Sequence, residues 1–148
     1  MQVQEIMTKD VLTVRPQTTV REVAELLVSH KISGLPVVDD AGKLVGIISE
    51  GDLMSKEILP EPPAEFCILG AVIYYGGLKE YKDAFERMAA NTAEQLMTKK
   101  VVTVKAYDDV SDVAKLMRDR HIKRVPVLDD EGHLIGIVSR QDIVKMLL

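Results

Sequence analysis

The chain has 148 residues and a net charge of −4, from 19 Lys and Arg against 23 Asp and Glu, with 47% hydrophobic residues. Such a length fits one domain or a pair of tightly joined halves. The interspersed charges leave no basic footprint for duplex nucleic acid, and no run of about 18 apolar residues is available to span a membrane.

The N-terminus, Met-Gln-Val-Gln-Glu-Ile-Met-Thr, has neither the basic stretch nor the apolar region of a signal peptide. The single cysteine, Cys67, cannot close an internal disulfide. A cytoplasmic protein is expected. Val11, Leu12, Thr13 and Val14 form a short β-prone run ended by Pro16. Thr19 followed by Glu22 fits a capping box, and Val20, Val23, Ala24 and Leu27 share one helical face. The helix is predicted to end near His30 and Lys31. A strand from Pro36, a turn at Asp39, Asp40, Ala41 and Gly42, and a returning strand over 44–48 read as a β-hairpin, with the doubled acids as turn formers. Ser49, Glu50, Gly51 and Asp52 then open another helix.

Pro60, Pro62 and Pro63 break the chain. The run 66–75 is apolar and stops at Gly76 and Gly77, and Cys67 inside it reads as buried filler rather than a nucleophile. Residues 78–90 are helical in spacing, with Leu78, Tyr81, Lys82 and Phe85 on one side, and Thr92 with Gln95 fits a further capping box. This insert holds both Phe and three of the four Tyr. It is expected to pack over the body of the protein, to lie across a dimer interface, or to gate a ligand cleft; its sequence leaves all three open.

After the insert the chain repeats itself. Residues 6–52 and 96–142 align without a gap, and about 20 of about 47 positions are identical. The second copy brings a strand over 101–104, a helix face of Val110, Val113, Ala114 and Met117, a strand from Pro126, a turn at Asp129, Asp130, Glu131 and Gly132, and a strand over 134–138. The order β-α-β-β-α, twice, predicts an α/β or α+β sandwich with pseudo-twofold symmetry. Units near 50 residues are small for independent cores, so the copies are expected to share one. The predicted division is 1–54 for the first unit, 55–95 for the insert and 96–148 for the second unit.

No hydrolytic triad is visible. His30, His121 and His133 lack the spacing of metal ligands, and His133 falls in a hairpin turn where a solvated side chain is the default. No catalytic residue and no metal site are predicted. The distinctive feature is Gly-Ile-Ile-Ser-Glu-Gly-Asp at 46–52 and its twin Gly-Ile-Val-Ser-Arg-Gln-Asp at 136–142. Each ends a strand with Gly-x-x-Ser-x-x-Asp at a helix start. Ser at the N-cap and Asp three residues on make a capping box. The same corner can also serve a nucleotide: free N–H groups and the Ser hydroxyl for a phosphate, and the carboxylate for two vicinal ribose hydroxyls.

The ordered set of motifs, Met-Thr-Lys at each start, His30 to Asp39 with Pro36 inside it, His121 to Asp129 with Pro126 inside it, and the two Gly-x-x-Ser-x-x-Asp corners, resembles a tandem of cystathionine β-synthase (CBS) domains, the Bateman module. The resemblance covers the chain outside the insert, with no appended catalytic, channel or helix-turn-helix domain. It implies two β-α-β-β-α units packed sheet to sheet, two symmetry-related clefts, and adenosine ligands: AMP, ADP or ATP, or S-adenosylmethionine. Carried over, one cleft combines Ser139, Gln141 and Asp142 with Thr8, Leu12, Ile32, Ser33 and Pro36. The other combines Ser49 and Asp52 with Thr98, Val102, Ile122, Lys123, Arg124 and Pro126. The base lies among apolar side chains and Asp142 or Asp52 holds the ribose.

The clefts are unequal, because Ser33 and Gly34 stand where the second copy has Lys123 and Arg124, and Gly51 stands where it has Gln141. The expected function is a non-catalytic adenine-nucleotide-binding regulatory or sensor module without a cofactor, forming a homodimer through its helices and acting on a target protein the sequence does not name. The competing readings are a structural interaction module with empty clefts, an S-adenosylmethionine sensor, and a weak hydrolase of the nucleotide, for which no base or metal cluster is visible.

Overall fold

A computed structural model describes the whole chain, Met1–Leu148. After a short 3-10 turn at Val3–Glu5, the first unit comprises α1 (Val20–Ser29), β1 (Gly34–Val38), β2 (Leu44–Ser49) and α2 (Glu50–Met54). The insert contains β3 (Ala64–Ile68), β4 (Ala71–Gly76), α3 (Leu78–Ala89) and α4 (Ala93–Leu96). The second unit comprises β5 (Val104–Lys105), α5 (Val110–Asp119), β6 (Arg124–Leu128), β7 (Leu134–Ser139) and α6 (Arg140–Lys145). This is an α+β arrangement of helices on small sheets.

The local chemistry accounts for the elements. The Thr19 hydroxyl accepts from Glu22 N at 3.1 Å while Glu22 accepts from Thr19 N at 3.0 Å, closing the box at the start of α1. In the second unit Asp109 takes that role and accepts from Ser111 N at 2.8 Å. The β1–β2 and β6–β7 hairpins turn in the same way. Asp39 Oδ1 accepts from Ala41 N and Lys43 N, both at 2.9 Å, and Asp129 Oδ1 from Glu131 N at 2.9 Å and His133 N at 2.8 Å. Gly42 and Gly132 close the turns at φ 78° and 89°, where a Cβ would be strained. The two turns touch, Leu134 N donating to the Gly42 carbonyl at 3.4 Å.

The expected first strands are much shorter than predicted. In the first unit only Val14 bridges Val37, and in the second β5 has two residues, Val104 and Lys105, rather than four. The first-unit bridge runs through Val14 N to the Pro36 carbonyl at 3.1 Å and Val38 N to the Val14 carbonyl at 2.9 Å. Pro36 has no N–H to carry the ladder further, and Pro126 stands at the matching place.

A single shared core is also not what forms. Val14, Val23, Leu27, Leu35, Val37 and Ile48 of the first unit pack with Ala90, Ala93 and Leu96 from the lead-in to the second. Val104, Val113, Met117, Val125, Val127 and Val138 of the second unit pack with Val3 from the lead-in to the first. There are two cores, and each is completed by the segment that precedes the other copy.

The insert departs further from expectation. Its apolar run is a β-hairpin, and apart from Ala64 every residue of β3 and β4 is exposed. Cys67 is therefore exposed, not buried filler, and the hairpin is left largely uncovered. At the far end of α3 Lys56 Nζ donates to the Met88 carbonyl at 2.9 Å and to the Ala90 carbonyl, closing the helix C-terminus.

Candidate functional site

The two units exchange segments at the sites as well as in the cores. Thr8 N donates to the Ile137 carbonyl at 2.9 Å and Ile137 N to the Thr8 carbonyl at 3.0 Å. The mirrored pair joins Thr98 and Ile47, with bonds of 2.8 and 3.0 Å. Each Met-Thr-Lys segment thus lies along the last strand of the opposite copy. Gly136 and Gly46 permit that approach. A Cβ on Gly136 would lie 2.5 Å from Met7 Sδ and 3.1 Å from the Thr8 carbonyl; on Gly46 it would lie 2.5 Å from Met97 Sδ and 3.0 Å from the Thr98 carbonyl.

This exchange frames two clefts. The first has a volume of about 560 Å³ and brings Ser139, Gln141 and Asp142 together with Thr8, Leu12, Ile32, Ser33 and Pro36, all eight residues predicted for it. Its walls also include residues that the sequence reading did not single out: Asp10, Val11, His30, Lys31, Glu50, Ile137 and Lys145. The second, about 410 Å³, gathers Ser49, Thr98, Val102, Ile122, Lys123 and Arg124 with Glu50, Gly51, Met54, Lys100, Val101 and His121. Two of its predicted residues do not line it. These are Pro126, buried like its counterpart Pro36, and Asp52, whose Oδ2 caps the start of α2 by accepting from Ser49 N at 2.8 Å and Ser49 Oγ at 3.1 Å.

Asp142 makes the same box in the first cleft. Its Oδ2 accepts from Ser139 N at 2.7 Å and from Ser139 Oγ at 2.8 Å. Both bonds use one oxygen, so capping leaves Oδ1 available in a residue that lines the cleft. The capping and ligand-contact readings of this motif are therefore compatible. Lys31 and His121, one in each cleft, follow their helices with φ of 52° and 54°, a left-handed conformation in which glycine would be cheaper. Each copy keeps a long or ring side chain there, on the wall of its cleft.

Arg124 departs most from the sequence reading. It was expected in the second cleft only, yet it lines both, as do Ser33 and Glu50. Its guanidinium crosses the pseudo-twofold axis and donates through Nη2 to Ser33 Oγ of the first unit. A Cβ on Gly34 would sit 2.6 Å from Nη1 and 2.7 Å from Cζ. Gly34 is the counterpart of Arg124 in the repeat, so the small member of the pair makes room for the large one on the axis. Burial pushes the Arg124 guanidinium below its ordinary pKa; Glu50 and Asp52 oppose that, and Arg140 adds to it. No carboxylate lies within salt-bridge distance of it.

His133 is not isolated in solvent. Its Nδ1 lies 3.2 Å from Asp129 Oδ2 and 3.7 Å from Glu131 Oε2 in an exposed turn. The carboxyl of Asp129 is held below its ordinary pKa, first by the backbone N–H of His133 and also by that of Glu131 and the charge of His133.

A paired α+β body with interlocked leaders and two clefts on a pseudo-twofold axis defines a tandem-repeat binding module. The chain belongs to the CBS domain family, whose pattern matches residues 3–58 and 93–148. It is 35% identical to the protein MJ1426 of Methanocaldococcus jannaschii over 159 aligned positions, covering 100% of this chain and 92% of that one. Among solved structures it is similar to CBSX2 of Arabidopsis thaliana in complex with AMP, with a TM-score of 0.77 and 29% identity over 99% of this chain and 95% of that one. It is also similar to the CBS domain pair of MJ0100 in complex with 5′-methylthioadenosine and S-adenosyl-L-methionine, with a TM-score of 0.76 and 28% identity over all of both chains. No helix is long and apolar enough to cross a membrane.

Proposed function

We propose that this protein is a non-catalytic regulatory module that takes AMP, ADP or ATP in the clefts between its two CBS units and works in the cytoplasm. The observation that carries the reading is the first cleft. Val11, Leu12, Ile32 and Ile137 offer apolar surface for a purine, and Ser139, Asp142, Lys31, Arg124 and Lys145 line the same cavity with groups suited to ribose and phosphate. The wall is mixed: a few apolar side chains for a flat base stand among many polar and charged groups that suit a ribose and phosphates. The adenosine ligands of CBSX2 and the MJ0100 pair support the same class. The MJ0100 complex favours a second reading, S-adenosylmethionine, in which the sulfonium would take the place of the phosphates.

The two readings separate in one melting experiment with AMP, ADP, ATP, S-adenosylmethionine and NAD. A ligand that binds the folded state alone stabilises it by about 2.7 kcal/mol at 100 times its Kd. The expected result is a raised melting temperature with the adenine nucleotides; a shift with S-adenosylmethionine alone transfers the reading to it, and no shift with any ligand refutes both. Incubation with ATP is expected to release neither ADP nor phosphate. The homodimer is proposed to form on the helices, where Val28, Met54 and Val144 leave apolar side chains exposed. Light scattering is then expected to give twice the chain mass of 16.4 kDa.

A further inference from the structure

We propose that Arg124 is one phosphate-binding group shared between two clefts, so that phosphate-bearing ligands in the two clefts compete for it. The inference rests on the adenine-nucleotide reading above and deepens it. Arg124 stands on the wall of both cavities. It carries five N–H donors, and the only acceptor it meets is Ser33 Oγ. It is half-buried and has no ion-pair partner. A guanidinium in that state is an open seat for an anion, and its planar fork suits phosphate. The repeat offers only one such group on the axis, because the counterpart is Gly34, whose missing Cβ is what lets the guanidinium cross.

The consequence follows from geometry. When one cleft alone is filled, the guanidinium can turn to that ligand's phosphates, whichever cleft it is. When both are filled, it can serve one of them fully, and the second ligand binds without it. Filling is then anticooperative for nucleotides and independent for adenosine, which has no phosphate. Coupling of this kind is reciprocal between the sites.

Two plugged variants expose the sharing. Gly51 and Gln141 are counterparts in the repeat; both are exposed and each lines its own cleft. A Cβ on Gly51 meets only Ser49 Oγ, at 3.7 Å, so a side chain can leave the backbone there without a clash, and circular dichroism of each plugged chain checks that the fold is kept. Gln141→Trp closes the first cleft and Gly51→Trp the second. Calorimetric titration of the full chain with ATP is compared with and without Arg124→Ala. Loss of a charge-assisted bond weakens binding by about 10-fold or more. The expected result is a loss of about that size in each plugged chain. In the unplugged chain the product of the two binding constants falls by only one such factor, about 10-fold, rather than by about 100-fold, and adenosine affinity is unchanged throughout. A loss in only one plugged chain makes Arg124 private to that cleft and overturns the proposal. A loss of both factors in the unplugged chain makes its two contributions independent and also overturns it. If the unplugged wild type binds no nucleotide, the functional reading fails first and takes this inference with it.

Discussion

The contact between Gly136 and the opposite leader makes a quantitative prediction. In Gly136→Ala the new Cβ would lie 2.5 Å from Met7 Sδ, 3.0 Å from Met7 Cγ and 3.1 Å from the Thr8 carbonyl. The thioether is flexible and can move. The carbonyl is fixed by its bond from Ile137 N, one residue along from the new methyl, at 3.0 Å. Relief therefore means repacking Met7 and lengthening the paired bonds between Thr8 and Ile137. Overpacking costs about 1–3 kcal/mol, and weakened backbone bonds add about 1 kcal/mol. A total of about 2–4 kcal/mol lowers the melting temperature by about 5–15 °C in a chain of this size. Gly46→Ala should behave alike, because its Cβ would meet Met97 and the Thr98 carbonyl at matching distances of 2.5 and 3.0 Å. Gly51→Ala is the control: its nearest neighbour is Ser49 Oγ at 3.7 Å, and it should be neutral or gain about 0.5 kcal/mol. Urea unfolding followed by circular dichroism measures all three. If Gly136→Ala lies within about 0.5 kcal/mol of wild type, the interlock of leader and strand is looser than described and the reasoning fails.

Asp142→Ala should cost about 1 kcal/mol of stability through the lost cap and about 1.5–3 kcal/mol of nucleotide binding; titration calorimetry showing unchanged affinity beside a lowered melting temperature would leave it a cap alone. Deleting residues 1–5 removes fully buried Val3 and the three backbone bonds that tie this segment to the second unit, Val3 N to Asp108 O, Gln4 N to Ala106 O and Val110 N to Met1 O. It should destabilise the second core by about 4 kcal/mol, with hydrogen exchange in β6 and β7 accelerating before that in β1 and β2. Lys123→Ala, which touches only the second cleft, should weaken ATP more than AMP, and the ATP loss should shrink with added salt. The depressed pKa of Asp129 means that its turn is stabilised above the ordinary carboxylate pKa and loses that support as pH falls through the lower, folded value. An NMR titration should place its midpoint below that of a model peptide, and an equal midpoint would contradict the hydrogen bonds described.

Much of the first cleft was legible because the repeat pairs Ser139 with Ser49 and Asp142 with Asp52, and the resemblance to CBS pairs implies that Ser139 and Asp142 share a cleft with Thr8 and Pro36 of the other copy. Alignment pairs residues but does not say which counterparts meet. Gly34 and Arg124 meet on the axis, and only three-dimensional packing reveals that the arginine leaves its own side. The repeat likewise predicts equal corners, yet Asp142 lines its cavity and Asp52 does not, although both carboxylates make the same cap. Cys67 was misread because an apolar run scores as core whether or not anything covers it. The short first strands were foreshadowed by Pro36 and Pro126, whose missing N–H groups were read as strand starts rather than as limits on the ladder beside them.

The crossed lead-ins have a temporal side. During synthesis Val3 is made among the first residues, yet its neighbours in the second core run from Val104 to Val138. The first core, in turn, waits for Leu96. The first unit cannot be finished as it leaves the ribosome, while the second finds its missing piece already made, so the first half should wait for the lead-in to the second, with the insert serving as the tether that keeps each half within reach of the piece it lacks. A lone copy faces the same shortage and can settle it only by borrowing from another molecule, so cutting this chain at the insert should yield fragments that recover their structure as a pair.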